Sequence, residues 1–304
     1  MTVDDYRKEA SLRLKKLARD YYEAGSEDQL TLARNENAFQ RLLIRPRCLR
    51  DVSKIDTSVQ WFGRNQSFPI GLAPSAFHCL ATKDGELSTV RGASKAGSVM
   101  IISSWSTTAI EDVAKQAKQD NVELWFQLYV YKNKAITSNL VSRAEANGCK
   151  ALVLTVDTPV LGRRLVDIRN GFTLPKGLRM ANIDSLELSL MPSVEEGKSG
   201  LLQYVSDQVD PGLDWDVLDW TTKLPVIVKG VMRGDDADEA VRKGVHGIIV
   251  SNHGGRQMDS APATVGHLDV GLQLLIFLGS SNYFLQIEVL SKVVRAVKGR
   301  VPVR

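Results

Sequence analysis

What most constrains this chain is an alternation. Short runs of β-branched and other apolar residues recur along it, separated by stretches with helical spacing. The strand candidates are residues 69–74, 99–103, 124–129, 151–157, 225–230 and 247–252. Helix-like stretches lie between them at 86–96, 108–119, 134–147 and 237–243. A strand, helix, strand order implies a parallel sheet, because each crossover must carry the chain back to its starting end. The order alone leaves open a doubly wound sheet or a closed barrel. Ahead of it, Tyr6, Ala10, Leu14, Leu17, Ala18 and Tyr21 recur at helical spacing. They predict one amphipathic helix with Gly25 as its C-cap.

Composition bounds the function classes. The chain has 304 residues, 43% of them hydrophobic, enough core for one barrel domain or two smaller domains. The net charge of +4 is spread through mixed signs, with no Lys/Arg run to mark nucleic-acid or membrane binding. Cys48, Cys79 and Cys149 are widely spaced, form no C-x-x-C pair, and read as small buried thiols in a reducing compartment. The N-terminus has no apolar signal-peptide core, and the longest apolar stretch, 272–279, is too short to span a bilayer. Four scattered histidines show no metal-ligand spacing, so no metal site is expected. A long polar stretch at 175–211 interrupts the alternation and reads as a lid or a disordered segment.

Chemistry concentrates after the last strand candidate. Gly247-Ile248-Ile249-Val250 runs directly into Ser251-Asn252-His253-Gly254-Gly255-Arg256-Gln257-Met258-Asp259. In a barrel, active sites are built at this end of the strands. Glycines let backbone approach a ligand closely. A histidine moves protons near neutral pH, and an arginine grips a carboxylate through two parallel hydrogen bonds.

This nonapeptide resembles the signature of the FMN-dependent 2-hydroxy-acid oxidases and dehydrogenases, the glycolate oxidase group. The resemblance runs from about Tyr6 to Thr264. It implies a (β/α)8 TIM barrel and decides against the doubly wound sheet. It implies that FMN is held by Pro74, Ser75 and Ala76 through their backbone, by Ser103, by Gln127 and Thr155 at the flavin pyrimidine edge, by Lys229 beside flavin N1, and by Ser251. A fixed cation near N1 stabilises the negative charge of reduced flavin. It further implies that Arg164 and Arg256 bind the substrate carboxylate, with Tyr21 and Tyr129 hydrogen-bonding the substrate. His253 matches the catalytic base and Asp157 the carboxylate that steadies its imidazolium. The implied reaction takes an (S)-2-hydroxy acid and O2 to a 2-oxo acid and H2O2. The resemblance also implies a homo-oligomer and, in eukaryotes, a peroxisomal location.

Taken singly, Lys229, Ser103 and Gln127 read as ordinary strand-end polar residues, Arg163-Arg164 as a solvated helix start, and Tyr21 as a core anchor. Their joint fit, in order, to one pattern carries the assignment. His78, His246 and His267 match nothing catalytic, and Trp105 reads equally as pocket wall or packing.

Two departures from the family stand out. Pro262-Ala263-Thr264 should lead directly into a helix of the type Ile287-Glu288-Val289-Leu290-Ser291-Lys292-Val293-Val294, but residues 265–286 intervene as an atypical inserted segment within one domain spanning 1–304. The sequence printed stops at Pro302-Val303-Arg304, in what the pattern makes the seventh strand. The expectation is therefore a barrel incomplete at its C-terminus, lacking the last strand and the phosphate-binding elements. It has no C-terminal peroxisomal address, which leaves the cytoplasm as the default location. The alternative reading is an inactive truncated variant without FMN that at most associates with full-length subunits.

Overall fold

The computed structural model describes residues 1–184, 186–194, 197–219, 222–265, 296–297 and 299–301. The inserted segment beyond Val265, the helix expected at 287–294, His267 and the last three residues lie outside the described residues.

The N-terminal helix is two helices, α1 (Val3–Arg13) and α2 (Lys16–Glu23). Leu14 and Lys15 are extended between them. Helix α1 buries nothing, and Tyr6 is exposed. Its attachment is ionic: Arg7 bridges Glu23 at 2.6 Å and Glu36 at 2.8 Å. Only α2 carries the apolar face, burying Ala18 and Tyr21. It ends on an extended Ala24, so Gly25 is no left-handed cap. Gly25 is small for another reason: a Cβ there would lie 3.0 Å from the Gly255 carbonyl. Helix α3 (Leu30–Ala38) follows. A hairpin of β1 (Val59–Trp61) and β2 (Arg64–Gln66) comes next. The sequence alternation showed neither.

The alternating region folds largely as expected. Helix α4 (Gly85–Ala96) closes on Gly97, a left-handed C-cap with φ +61°. Then come β3 (Met100–Ile102), α5 (Ile110–Gln119), β4 (Leu124–Leu128), α6 (Lys134–Ala146) and β5 (Leu152–Thr155). After them follow α7 (Leu165–Arg169), α8 (Leu186–Ser189), α9 (Gly200–Gln208), β6 (Val226–Val231), α10 (Gly234–Arg242) and β7 (Gly247–Val250). Strands β3 to β7 form one parallel sheet in chain order. The first strand candidate contracts to a single parallel bridge, Leu72 to Met100. Pro69 and Pro74, which bound it, lack the N–H groups a ladder needs.

The two faces of this sheet decide between barrel and open sheet. Met100, Ile102, Phe126, Leu128, Leu152 and Leu154 pack in one cluster with Val90, Val113 and Leu140 of α4, α5 and α6. The opposite face, Val99, Ile101, Trp125, Val153 and Ile227, packs among strands alone, with Val59 and Trp61 of the hairpin closing it. A doubly wound sheet needs helices on both faces. Helices on one face and strands on the other is the barrel arrangement.

The stretch 175–211 is not simply a lid. Met180, Ile183, Leu201, Tyr204 and Val205 are buried in the main core. The cysteines also differ from expectation. Cys149 is buried, and burial pushes its thiol up to about 12, but Cys79 is half-buried and Cys48 exposed. No described helix is long and apolar enough to cross a membrane.

Candidate active site

The strand ends converge on one cavity of about 290 Å³. Its wall contains Pro74, Ser75, Ala76, Ser103, Gln127, Thr155, Lys229 and Ser251, together with Tyr21, Tyr129, Arg164, His253 and Arg256. Asp157 stands directly behind His253. Every site residue singled out from the sequence is thus brought to one place. Gln127, Thr155 and Lys229 come from the inward-facing positions of successive parallel strands, whose register sets Thr155 beside Lys229.

His253 occupies a left-handed conformation, φ +59°, directly after β7. Its backbone N–H donates to Ser251 Oγ at 2.9 Å, and Lys229 Nζ donates to the same oxygen at 3.2 Å. Its Nδ1 lies 2.7 Å from Asp157 Oδ1. Burial pushes the imidazole below its ordinary value, against the pull of Asp157. Burial acts to raise Asp157, but the hydrogen bond and charge of His253, with the charge of Lys229, hold the carboxyl below its ordinary value. The pair is a carboxylate beside a neutral imidazole whose Nε2 remains as the proton acceptor. Gly230, φ +111°, makes room for it: a Cβ there would sit 2.7 Å from Asp157 Cγ.

Two guanidiniums meet across the cavity. Arg256 donates from Nη1 to the carbonyls of Tyr21 and Ala24, at 2.6 and 2.7 Å, and its guanidinium carbon lies 4.8 Å from the Tyr21 ring centre. Arg164 is buried and donates from Nε to the Arg256 carbonyl at 3.3 Å. Burial, then the neighbouring charge of Arg256, pulls Arg164 down to about 10, still protonated at neutral pH. Adjacent cations of this kind, Arg164 buried and Arg256 half-buried, form a ready-made anion site. Arg163, by contrast, is exposed and bridges Glu27 at 3.5 Å. Tyr21 stacks on Phe172 at 4.6 Å between ring centres. Burial pushes the Tyr129 hydroxyl above its ordinary value, so it stays protonated and able to donate. Trp105 is both wall and packing: it lines the cavity, sits 4.4 Å from the Tyr129 ring and donates to Tyr131 at 3.0 Å.

The opposite wall offers unused hydrogen-bonding groups. Gln127 Oε1 accepts from Ser104 N, Ser104 Oγ and Ser103 Oγ at 3.1, 3.3 and 3.4 Å, which fixes the amide. Gln127 Nε2 and Thr155 Oγ1 are left buried without a partner. Such orphaned groups are costly unless a ligand satisfies them. A donor amide, a hydroxyl and the buried ammonium of Lys229 on one wall fit the polar edge of a flavin.

Several supports were not read from the sequence. Gln257 accepts from Gly162 N at 3.0 Å and donates to the carbonyls of Asp157 and Val160, both at 2.9 Å. It clamps the β5 and β7 loops together. Asn252 exchanges two hydrogen bonds with Asn35 of α3, and Asp259 accepts from Leu30 and Thr31 at the start of that helix. Gln257, Asn252 and Asp259 belong to the nonapeptide, but their partners lie more than 90 positions away. His246 is structural: its Nδ1 accepts from Val226 N at 3.2 Å. His78 pairs with Thr89 at 2.9 Å.

Comparison with known proteins shows the family. Residues 10–272 match the FMN-dependent dehydrogenase family. The chain belongs to this family. It is similar to 2-hydroxyacid oxidase 1 of Mus musculus, with 44% identity over 99% of this chain and 76% of that protein. It is similar to glycolate oxidase of Spinacia oleracea, with 44% identity over 99% of this chain and 75% of that protein. Its fold superimposes on mandelate oxidase with (S)-4-hydroxymandelic acid at a TM-score of 0.86, with 33% identity over 99% of this chain and 78% of that one. The FMN-dependent dehydrogenase family thus gives this chain its TIM barrel, its FMN cofactor and its standing as an oxidoreductase.

Proposed function

We propose that the protein oxidises an (S)-2-hydroxy acid to a 2-oxo acid, with O2 taken to H2O2. The observation that carries this reading is one cavity with two sides: a neutral His253 on Asp157 beside paired guanidiniums, and unpartnered flavin-edge donors opposite. The names of the similar proteins, glycolate oxidase and 2-hydroxyacid oxidase, support the same substrate class.

The roles are those the family resemblance implies, and the site's geometry and charge support them. Arg164 and Arg256 grip the substrate carboxylate, and Tyr21 and Tyr129 hydrogen-bond it in place, so that the α-carbon and hydroxyl face His253. The hydroxy acid loses two electrons and two protons. His253 accepts one proton at Nε2, because Nδ1 is committed to Asp157. Asp157 stabilises the imidazolium that forms. Backbone of Pro74, Ser75 and Ala76, with Ser103, Gln127, Thr155, Ser251 and Lys229, would hold the flavin, and a Lys229 ammonium would offset negative charge on the reduced ring. FMN held there would supply the acceptor for the electron pair and the second proton, with O2 as the final oxidant, ending as H2O2. The same reading makes the whole chain one FMN-binding domain, assembled as a homo-oligomer and working in the peroxisome.

The test is spectroscopic. Purified protein loaded with FMN is mixed anaerobically with glycolate or (S)-lactate, then with air. Bleaching of the blue absorbance followed by one H2O2 per 2-oxo acid supports the proposal. Protein that stays colourless after addition of FMN, or a band that glycolate and longer 2-hydroxy acids leave unbleached, refutes it.

A further inference from the structure

Beside Arg164, and outside the cavity wall, stands a carboxylate for which the proposed reaction has no use. Asp167 is 2% exposed, sits on α7 one helical turn from Arg164, and does not line the cavity. Its Oδ2 lies 3.8 Å from Arg164 Nη1, too far for a hydrogen bond. Neither carboxylate oxygen has a hydrogen-bond partner. A buried acid so poorly satisfied is costly to keep. It does not aim Arg164, because the guanidinium is directed by its Nε bond to the Arg256 carbonyl. What Asp167 contributes is charge. Burial holds its carboxyl above the ordinary value, and the charges of Arg164 and Arg256 offset only part of that rise. The other acid facing it, Asp20, is already paired with Lys16 at 2.5 Å.

We propose that Asp167 sets the net charge of the arginine corner at plus one, making it select a ligand with one carboxylate over a ligand with two. Two guanidiniums and one carboxylate leave one positive charge, which a single carboxylate neutralises. A second carboxylate enters a corner with no charge left to meet it, and pays its desolvation without return. Without Asp167 the corner carries two positive charges, and a dianion becomes the matched ligand. Asp167 is thus a specificity residue acting at a distance through its field, and the inference rests on the proposed role of Arg164 and Arg256 as the carboxylate grip.

The experiment compares propionate with malonate, which differ by a methyl against a carboxylate. Both dissociation constants are measured by calorimetry in FMN-loaded wild type, Asp167→Asn and Asp167→Glu. Wild type and Asp167→Glu should prefer propionate. In Asp167→Asn the ratio should move towards malonate by roughly tenfold, the order expected for one charge removed within about 10 Å at an effective dielectric constant of about 20. A folded Asp167→Asn that changes both affinities by the same factor, as a merely structural role predicts, overturns the inference while leaving the arginine grip standing. Wild type that binds neither acid overturns the grip and the inference together. Should Asp167→Asn not fold, Asp167→Ser makes the same charge change with a smaller side chain and is held to the same ratio.

Discussion

Replacing Asp157 with Asn removes one charge from behind His253 and leaves the side chain's size unchanged. In wild type the carboxylate lies 2.7 Å from Nδ1. A hydrogen bond to an ionised partner stabilises by about 1.5–3 kcal/mol, against about 0.5–1.5 for a neutral one. Attraction between unit charges about 4 Å apart reaches roughly 4 kcal/mol at an effective dielectric constant of about 20. These overlap and do not add, so the developing imidazolium loses about 2–4 kcal/mol. The rate of flavin bleaching should therefore fall by roughly 30-fold to 1,000-fold. Substrate affinity should change by no more than about threefold, because Asp157 is not among the residues lining the cavity and the arginines are untouched. Stopped-flow absorbance under anaerobic conditions separates the two constants: the limiting rate reports the proton step, and the half-saturating concentration reports binding. A limiting rate within about fivefold of wild type would refute the argument that Asp157 acts on the charged form of His253.

Four further outcomes follow from the same geometry. Burial holds His253 below its ordinary value of 6.5, so kcat/KM should be level at neutral pH and fall on the acid side with an apparent pKa under 6.5; a profile breaking above that value contradicts a neutral buried base. The linkage has the same direction: the unfolded chain binds this proton more readily, so stability is complete above 6.5 and is lost as pH falls through the folded value, which acid-side thermal melts would register. Thr155→Val deletes a buried hydroxyl that has no partner, so FMN-free protein should melt no lower than wild type while FMN binds roughly 3- to 10-fold more weakly by fluorescence titration. Gly230→Ala drives a Cβ to 2.7 Å from Asp157 at a φ of +111°, and should cost about 2 kcal/mol or more in denaturant unfolding while slowing bleaching; an unperturbed variant would show that the glycine is not needed for this close approach.

The chemistry of this site was legible in the sequence to an unusual depth, and the reason is local. His253, Arg256 and the glycines between them lie in one nonapeptide, and Gln127, Thr155 and Lys229 each sit in a short apolar run. A parallel barrel brings strand ends together whatever the intervening loops are, but singly these residues read as ordinary polar groups, and it was their joint resemblance to the family pattern that named them as a site. The alternation fixed the class of sheet for the same reason, since the period of side chains along a strand or helix is a property of local backbone geometry.

Tertiary structure alone decided everything that depends on distant partners. Spacing predicted one N-terminal helix, but Leu14 and Lys15 are extended and the apolar face belongs to α2 alone. Proline-bounded 69–74 reads as a strand, yet only Leu72 reaches its neighbour. No spacing rule announces that Asn35 of α3 will brace Asn252, or that Gln257 will tie two loops. Nothing in the sequence singled out Asp167, and its burial beside Arg164 appears only once α7 is packed. The alternation left barrel and open sheet open; the family resemblance implied the barrel, and its physical reason, helices covering one face of the strands only, appears in the packing. Sequence carries what neighbouring residues impose on one another, whereas burial and charge are fields summed over the whole fold, and they exist only when distant segments are brought within a few ångströms.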